Sequence, residues 1–168
     1  MGGTCRVTQA SPAQVAARER LRRAARAELP SALAQLRERF PDETFYVLAL
    51  QTTRAHDSLG LLGSSEEDLE HAGEEARWEP REWSRRLPSL GSLSVTNEAL
   101  DLLHDLARRE QAAQPDLSEF WLELWRDLRE SGCCEAFGRP LLTVVGPQTP
   151  TWREVAEQLN PWVPWSDD

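Results

Sequence analysis

The chain has 168 residues, 40% of them hydrophobic and 28% charged, with a formal net charge of -9. That length supports one hydrophobic core and is short for two, and the composition is that of a folded globular chain, which excludes wholesale disorder. The acidic balance argues against nucleic acid as the partner, because phosphate neutralisation needs a basic face, and favours steering towards a basic protein.

Every basic side chain is arginine; lysine and isoleucine are both absent. Both missing residues use AT-rich codons, so a GC-rich, bacterial genome explains the arginines without invoking phosphate recognition. Residues 1–10 hold no apolar run of signal-peptide length and are expected to be flexible. Nowhere does the chain offer the roughly 20 apolar residues of a membrane span, so a cytoplasmic protein without a membrane partner is expected. Cys5, Cys133 and Cys134 make no disulfide framework, and His56, His71 and His104 are scattered, so neither a metal nor another cofactor is expected.

Ser11-Pro12 opens the first predicted helix, with Ser as N-cap and Pro at the first helical position. Its apolar positions Val15, Leu21, Ala25 and Leu29 form a thin stripe, which predicts a helix on the outside of the domain. Arg18, Arg20, Arg22, Arg23 and Arg26 read as a solvated face. Pro30 either kinks this helix or opens a second one at Ser31, and Leu33, Leu36 and Phe40 carry an apolar face on to Pro41. Thr44 to Thr52 is the clearest strand, apolar enough to be covered on both faces. Residues 54–58 read as a turn and 59–63 as the returning strand of an antiparallel hairpin, weakened by Gly60 and Gly63.

Ser64-Ser65-Glu66-Glu67-Asp68 is a helix start with acids in the first turn, and that short helix ends near Gly73. Trp78-Glu79-Pro80-Arg81-Glu82-Trp83 follows, and Pro80 prevents it from being one regular helix. After a loop over 87–93, a helix from Ser94, capped by Thr96 or Asn97, runs to about Ala113. Asp116 caps an amphipathic helix bearing Leu117, Phe120, Trp121, Leu124, Trp125 and Leu128, and Gly132 ends it. Leu141 to Val145 is a strand closed by Gly146-Pro147. Thr149 or Thr151 opens the last helix, with Trp152, Val155 and Leu159, which Asn160-Pro161 ends. Trp162 and Trp165 lie in a proline-spaced tail that packs back on the domain or awaits a partner. Strands adjoin strands in this order, which predicts a single α+β domain over 11–168 with a small, mostly antiparallel sheet and helices packed against it.

No phosphate-binding glycine loop, dinucleotide fingerprint, nucleophile elbow or zinc-protease motif occurs. The most suggestive local set is Glu79 and Glu82 flanked by Trp78 and Trp83, since tryptophan dominates interface hot spots and a neighbouring acid can meet a basic partner. The competing reading puts both rings in the core with the charges outside.

Phe45-Tyr46-Val47-Leu48-Ala49-Leu50, Ala76-Arg77-Trp78-Glu79-Pro80-Arg81-Glu82-Trp83, Phe120-Trp121 and Leu159-Asn160-Pro161 together resemble the landmarks of a bacterial domain family with no catalytic assignment. The resemblance runs from about Phe40, leaving 11–40 as an N-terminal helical region and 41–168 as the family-like core. Single-domain bacterial proteins of this kind are similar to toxin-immunity proteins such as the SUKH group. The favoured expectation is therefore a cytoplasmic protein-binding module, an immunity protein and not an enzyme, that neutralises a basic toxin domain. Its contacts are expected at Trp78, Glu79, Glu82 and Trp83, with Glu66, Glu67 and Asp68 adjoining. The alternative is a small-molecule-binding domain or enzyme whose pocket is assembled from distant residues.

Overall fold

The computed structural model describes residues 10–52, 58–83, 85–86, 93–146 and 152–165. The expected flexible segment 1–9, the turn at 54–57, the loop from 87 to 92 and the Thr149 or Thr151 cap lie outside them. The chain is an α+β domain, and its order is α1 (Pro12–Arg39), β1 (Phe45–Thr52), β2 (Leu59–Ser65), α2 (Glu66–Ala72), a 3-10 turn (Glu74–Trp78) and β3 (Arg85–Arg86). Then follow α3 (Ser94–Arg109), α4 (Ser118–Glu130), a second 3-10 turn (Glu135–Phe137), β4 (Leu141–Val145) and α5 (Trp152–Leu159).

Ser11 caps α1 as its sequence implies, its hydroxyl accepting from Gln14 N–H at 3.2 Å with Pro12 opening the helix. The helix continues unbroken through Pro30. It is central, not peripheral: Leu21, Ala25, Leu29, Ala32 and Leu36 are all fully buried. The thin stripe is completed by small residues, Ala17, Ala24, Ala25 and Ala32, which bring the helix close to α3 and α4. The basic residues on its other side serve this packing. Arg22 meets Glu123 at 3.2 Å, Arg26 pairs with Asp127, and Arg18 donates to the Asp116 carbonyl at 2.7 Å, all on or beside α4.

The sheet order is β3-β2-β1-β4. β1 and β2 form the expected antiparallel hairpin, and β3 pairs antiparallel to β2. β4 runs parallel to β1, Val47 opposite Leu141 through Gln51 opposite Val145, so the sheet is mixed. Its physical reason is the connection: β2, β3 and three helices separate β4 from β1, a crossover long enough to return the chain in the same direction. Gly63 strengthens the hairpin, because a β-carbon there would lie 2.9 Å from the Phe45 ring, beside the bulge between Phe45 and Val47.

Each sheet face is covered. Phe45, Leu48, Leu50, Leu59, Leu61, Leu142 and Val144 join the large core with α1, α3 and α4. Val47, Ala49, Leu62 and Trp83 form a smaller cluster on the other side, with Tyr46, Leu141, Val145 and Trp152 packed on it.

Two asparagines finish the strands. Asn97 accepts from Leu59 N–H at 2.7 Å and donates to Leu59 C=O at 3.1 Å, so it pairs with β2 and does not cap α3. Thr96 lies inside α3. The capping acceptor is Glu28 of α1, whose carboxylate takes Val95 N–H, Thr96 N–H and the Thr96 hydroxyl at 2.7–3.0 Å. Asn160, fully buried, pairs with β4 in the same way, with Leu142 N–H and C=O at 3.0 and 2.9 Å. It also accepts from Arg129 at 2.8 Å. Asp116 accepts from Ser118 N–H at 2.9 Å at the start of α4.

Asn160→Ala leaves Leu142 N–H and C=O buried without partners, and is expected to cost about 3 kcal/mol. Asn97→Ala, at a less buried site, is expected to cost about 1 kcal/mol. Denaturant unfolding of both variants checks the order; equal losses contradict it.

Candidate functional site

The acidic start of α2 is consumed by the fold. Ser65 and Asp68 form a reciprocal capping box, and Asp68 also accepts from the Ser64 hydroxyl at 3.0 Å and pairs with Arg85 at 3.0 Å. Glu67 accepts from Thr44 N–H at 2.9 Å, which holds its carboxyl below the ordinary range. Glu66 grips Arg77 with two parallel bonds of 2.8 and 2.7 Å. Arg77 also pairs with Glu74, and its guanidinium lies 4.8 Å above the Tyr46 ring. Glu66 first, and then Glu74, keeps that guanidinium above its ordinary pKa. Arg85 meets Glu43 at 2.6 Å. Glu66 and Asp68 thus fasten the segment after α2 to that helix, and Glu67 ties the helix to the start of β1, so all three acids are bonded within the fold while remaining partly exposed.

That fastening sets the two tryptophans. The 3-10 turn ends at Trp78, and the chain reverses over residues 80–82, so the rings arrive on different sides of Trp152. Trp78 stacks flat on Trp152, with centroids 5.9 Å apart and planes 5° from parallel. Trp83 meets the same ring edge-on at 5.7 Å. The outcome divides the expected pair: Trp78 is 45% exposed, whereas Trp83 is 1% exposed and donates its Nε1–H to the Arg77 carbonyl at 3.1 Å. Trp83 is a core residue because it plugs the small cluster over Val47, Ala49 and Leu62. Glu79 and Glu82 are exposed.

Trp152, whose sequence signal is only that of a helix face, is the centre of the site. A cleft of about 360 Å³ is lined by Trp78, Trp152, Arg153, Val163, Pro164 and Trp165. The tail therefore packs back, and Trp165 Nε1–H donates to the Asn160 carbonyl at 3.3 Å. An open groove of about 590 Å³ adjoins the cleft through Trp152, with Glu79, Pro80 and Arg81 on one side and the ends of β1 and β4 on the other. No local signal joins Trp78 to Trp152; α5 reaches this face because it packs on β4, which pairs with β1. Among the described residues no three His, Cys, Asp or Glu side chains converge as metal ligands, and no helix is long and apolar enough to cross a membrane.

The Glu67 contact has a pH signature. Its carboxyl is depressed in the fold, so the stabilisation is complete above the ordinary carboxylate pKa and is lost as pH falls through the folded value. Glu67→Gln is expected to lower stability at neutral pH and to match the parent chain in acid. Urea midpoints across that pH range check it; a gap that persists in acid contradicts the assignment.

No curated protein and no solved structure matches the chain. One family model does, over residues 21–131, from within α1 to just past α4. Most of the helix expected to lie outside the family region therefore falls inside it, in keeping with its central packing. Leu159-Asn160-Pro161 lies beyond the matched part. The chain belongs to the family described as domain of unknown function DUF4303.

Proposed function

We propose that this chain is a cytoplasmic protein-binding module, an immunity protein that neutralises a basic toxin domain by direct contact. The observation that carries this reading is Trp78, a large ring held 45% exposed by its stack on Trp152. A rigid aromatic anchor beside a cleft is the usual centre of an interface hot spot, since it gains contact area at small cost in side-chain entropy. Glu79 and Glu82 adjoin it on the surface, and the net charge of -9 adds long-range attraction for a basic partner. The role proposed is similar in kind to that of the SUKH immunity proteins.

A second reading rests on the cleft volume. About 360 Å³ lies at the lower end of ligand pockets, so a small aromatic or polar molecule fits between Trp78, Trp152 and Trp165. A thermal-shift screen with metabolites and nucleotides addresses it; a stabilising compound at micromolar levels would favour this reading over the first.

The test of the leading proposal is co-expression with the product of the adjacent gene. Rescue from toxicity and elution as one complex are expected. Trp78→Ala should weaken that complex about 30-fold, the scale of a hot-spot residue, while the exposed Glu19→Gln on α1 leaves it unchanged. A harmless neighbour, or a Trp78→Ala complex of parental affinity, would overturn the assignment.

A further inference from the structure

A second cavity, of about 490 Å³, lies on the other part of the tail, where Arg129, Cys134, Glu135, Arg139, Leu142 and Trp162 contribute to its walls. We infer that it is a binding site for a small oxyanion, a phosphate or carboxylate group gripped between Arg129 and Arg139. This site is independent of the partner surface at Trp78.

The argument starts from Arg129, which is half-buried at the end of α4. Its Nη1 donates to the Leu159 carbonyl and its Nη2 to Asn160 Oδ1 at 2.8 Å. Both acceptors are neutral. A guanidinium has five N–H donors, so three remain, and no other described residue takes them. No carboxylate lies within ion-pair distance of it among the described residues. A cation taken out of water without an anion is costly, and burial pulls the Arg129 pKa below its ordinary value. Cys134 beside it is no counter-ion, because burial pushes its thiol up to about 11 and leaves it neutral near pH 7.

The surroundings suit a ligand that supplies the missing charge. Trp162, itself 46% exposed, lies under the Arg129 guanidinium at 4.2 Å and fixes its plane, so the unused donors are presented in a set direction. Arg139 is exposed on the rim and has no ion-pair partner among the described residues. Two arginines face one carboxylate, Glu135, so the cavity is locally positive on a chain whose net charge is -9. Planar guanidinium forks match carboxylate and phosphate oxygens in geometry as well as charge.

The experiment titrates the full chain with sodium phosphate and, separately, with sodium malonate, against sodium chloride at matched ionic strength, reading calorimetric binding and thermal unfolding. Saturable binding of at least one oxyanion is expected. A linear, non-saturating rise in stability is only the excluded-solute effect and counts against the site. Arg139→Gln, exposed and outside the core, should weaken binding about tenfold, the loss of one charge-assisted contact. Glu135→Gln should tighten it by removing the opposing carboxylate. Phosphate alone binding identifies a phosphate ligand, and malonate alone a carboxylate; either sustains the inference. Absence of saturable binding to both, or Arg139→Gln binding like the parent chain, overturns it.

Discussion

Asn160 is the contact on which the C-terminal part of this structure depends. Its amide gives β4 the hydrogen bonds of a neighbouring strand at Leu142, while its backbone carbonyl holds Trp165 and its Oδ1 holds Arg129. A buried strand edge with nothing beside it would leave peptide groups unsatisfied, and each costs free energy comparable to a lost hydrogen bond. Asn97 performs the same substitution for Leu59 on β2. Asparagine suits both places because one flat side chain carries a donor and an acceptor in the spacing of a peptide unit. Each asparagine thus closes one position of an open strand edge, and covering an edge is one way a small domain avoids pairing with its neighbours.

Charge is arranged on the same economy. α1 and α4 are joined at their margin by Arg22–Glu123 and Arg26–Asp127, both well exposed, and such pairs orient helices more than they stabilise them. Glu66–Arg77 is different: it is bidentate, its guanidinium is partly covered and stacked on Tyr46, and it stands where the chain leaves α2 for the tryptophans. Arg85, paired with Glu43 just before β1 and with Asp68 on α2, secures the next few residues, and its backbone pairs with β2. The exposed ring of Trp78 is therefore fixed from both sides of its segment. A preorganised aromatic face loses little freedom on binding.

The elements whose signals are local were legible in the sequence. Ser11-Pro12, the apolar run from Phe45, the acidic helix start over Ser64 to Asp68 and the Leu117 to Leu128 face each stand where caps, β-branching and helical spacing put them. The α+β class followed from their order. What failed was long-range. Alanines made α1 look peripheral, because a small side chain shows its value only when another helix approaches it. Thr96 and Asn97 looked like caps, yet the cap came from Glu28 in another element. Glu66, Glu67 and Asp68 looked like free surface until Arg77, Thr44 and Arg85 were brought to them. Trp78 and Trp83 looked equivalent, and what separated them was Trp152, far along the chain. The parallel direction of β4 is a property of the crossover and has no counterpart in the strand's own residues.

The tail links these long-range features. Trp162 and Trp165 leave the same short segment for two different cavities, one beside Arg129 and one beside Trp78 and Trp152. Both walls take their position from where the tail begins, and Asn160 fixes that point by its bonds to β4 and α5. A rigid start with proline spacing on either side limits how far either tryptophan can move alone, since Pro161 and Pro164 each restrict the backbone. The cleft and the basic cavity are accordingly fixed relative to the sheet edge, although most of the residues that line them lie beyond the part of the chain that the family model matches. Their shape follows from β4, α5 and the tail closing on a family core of α1 to α4.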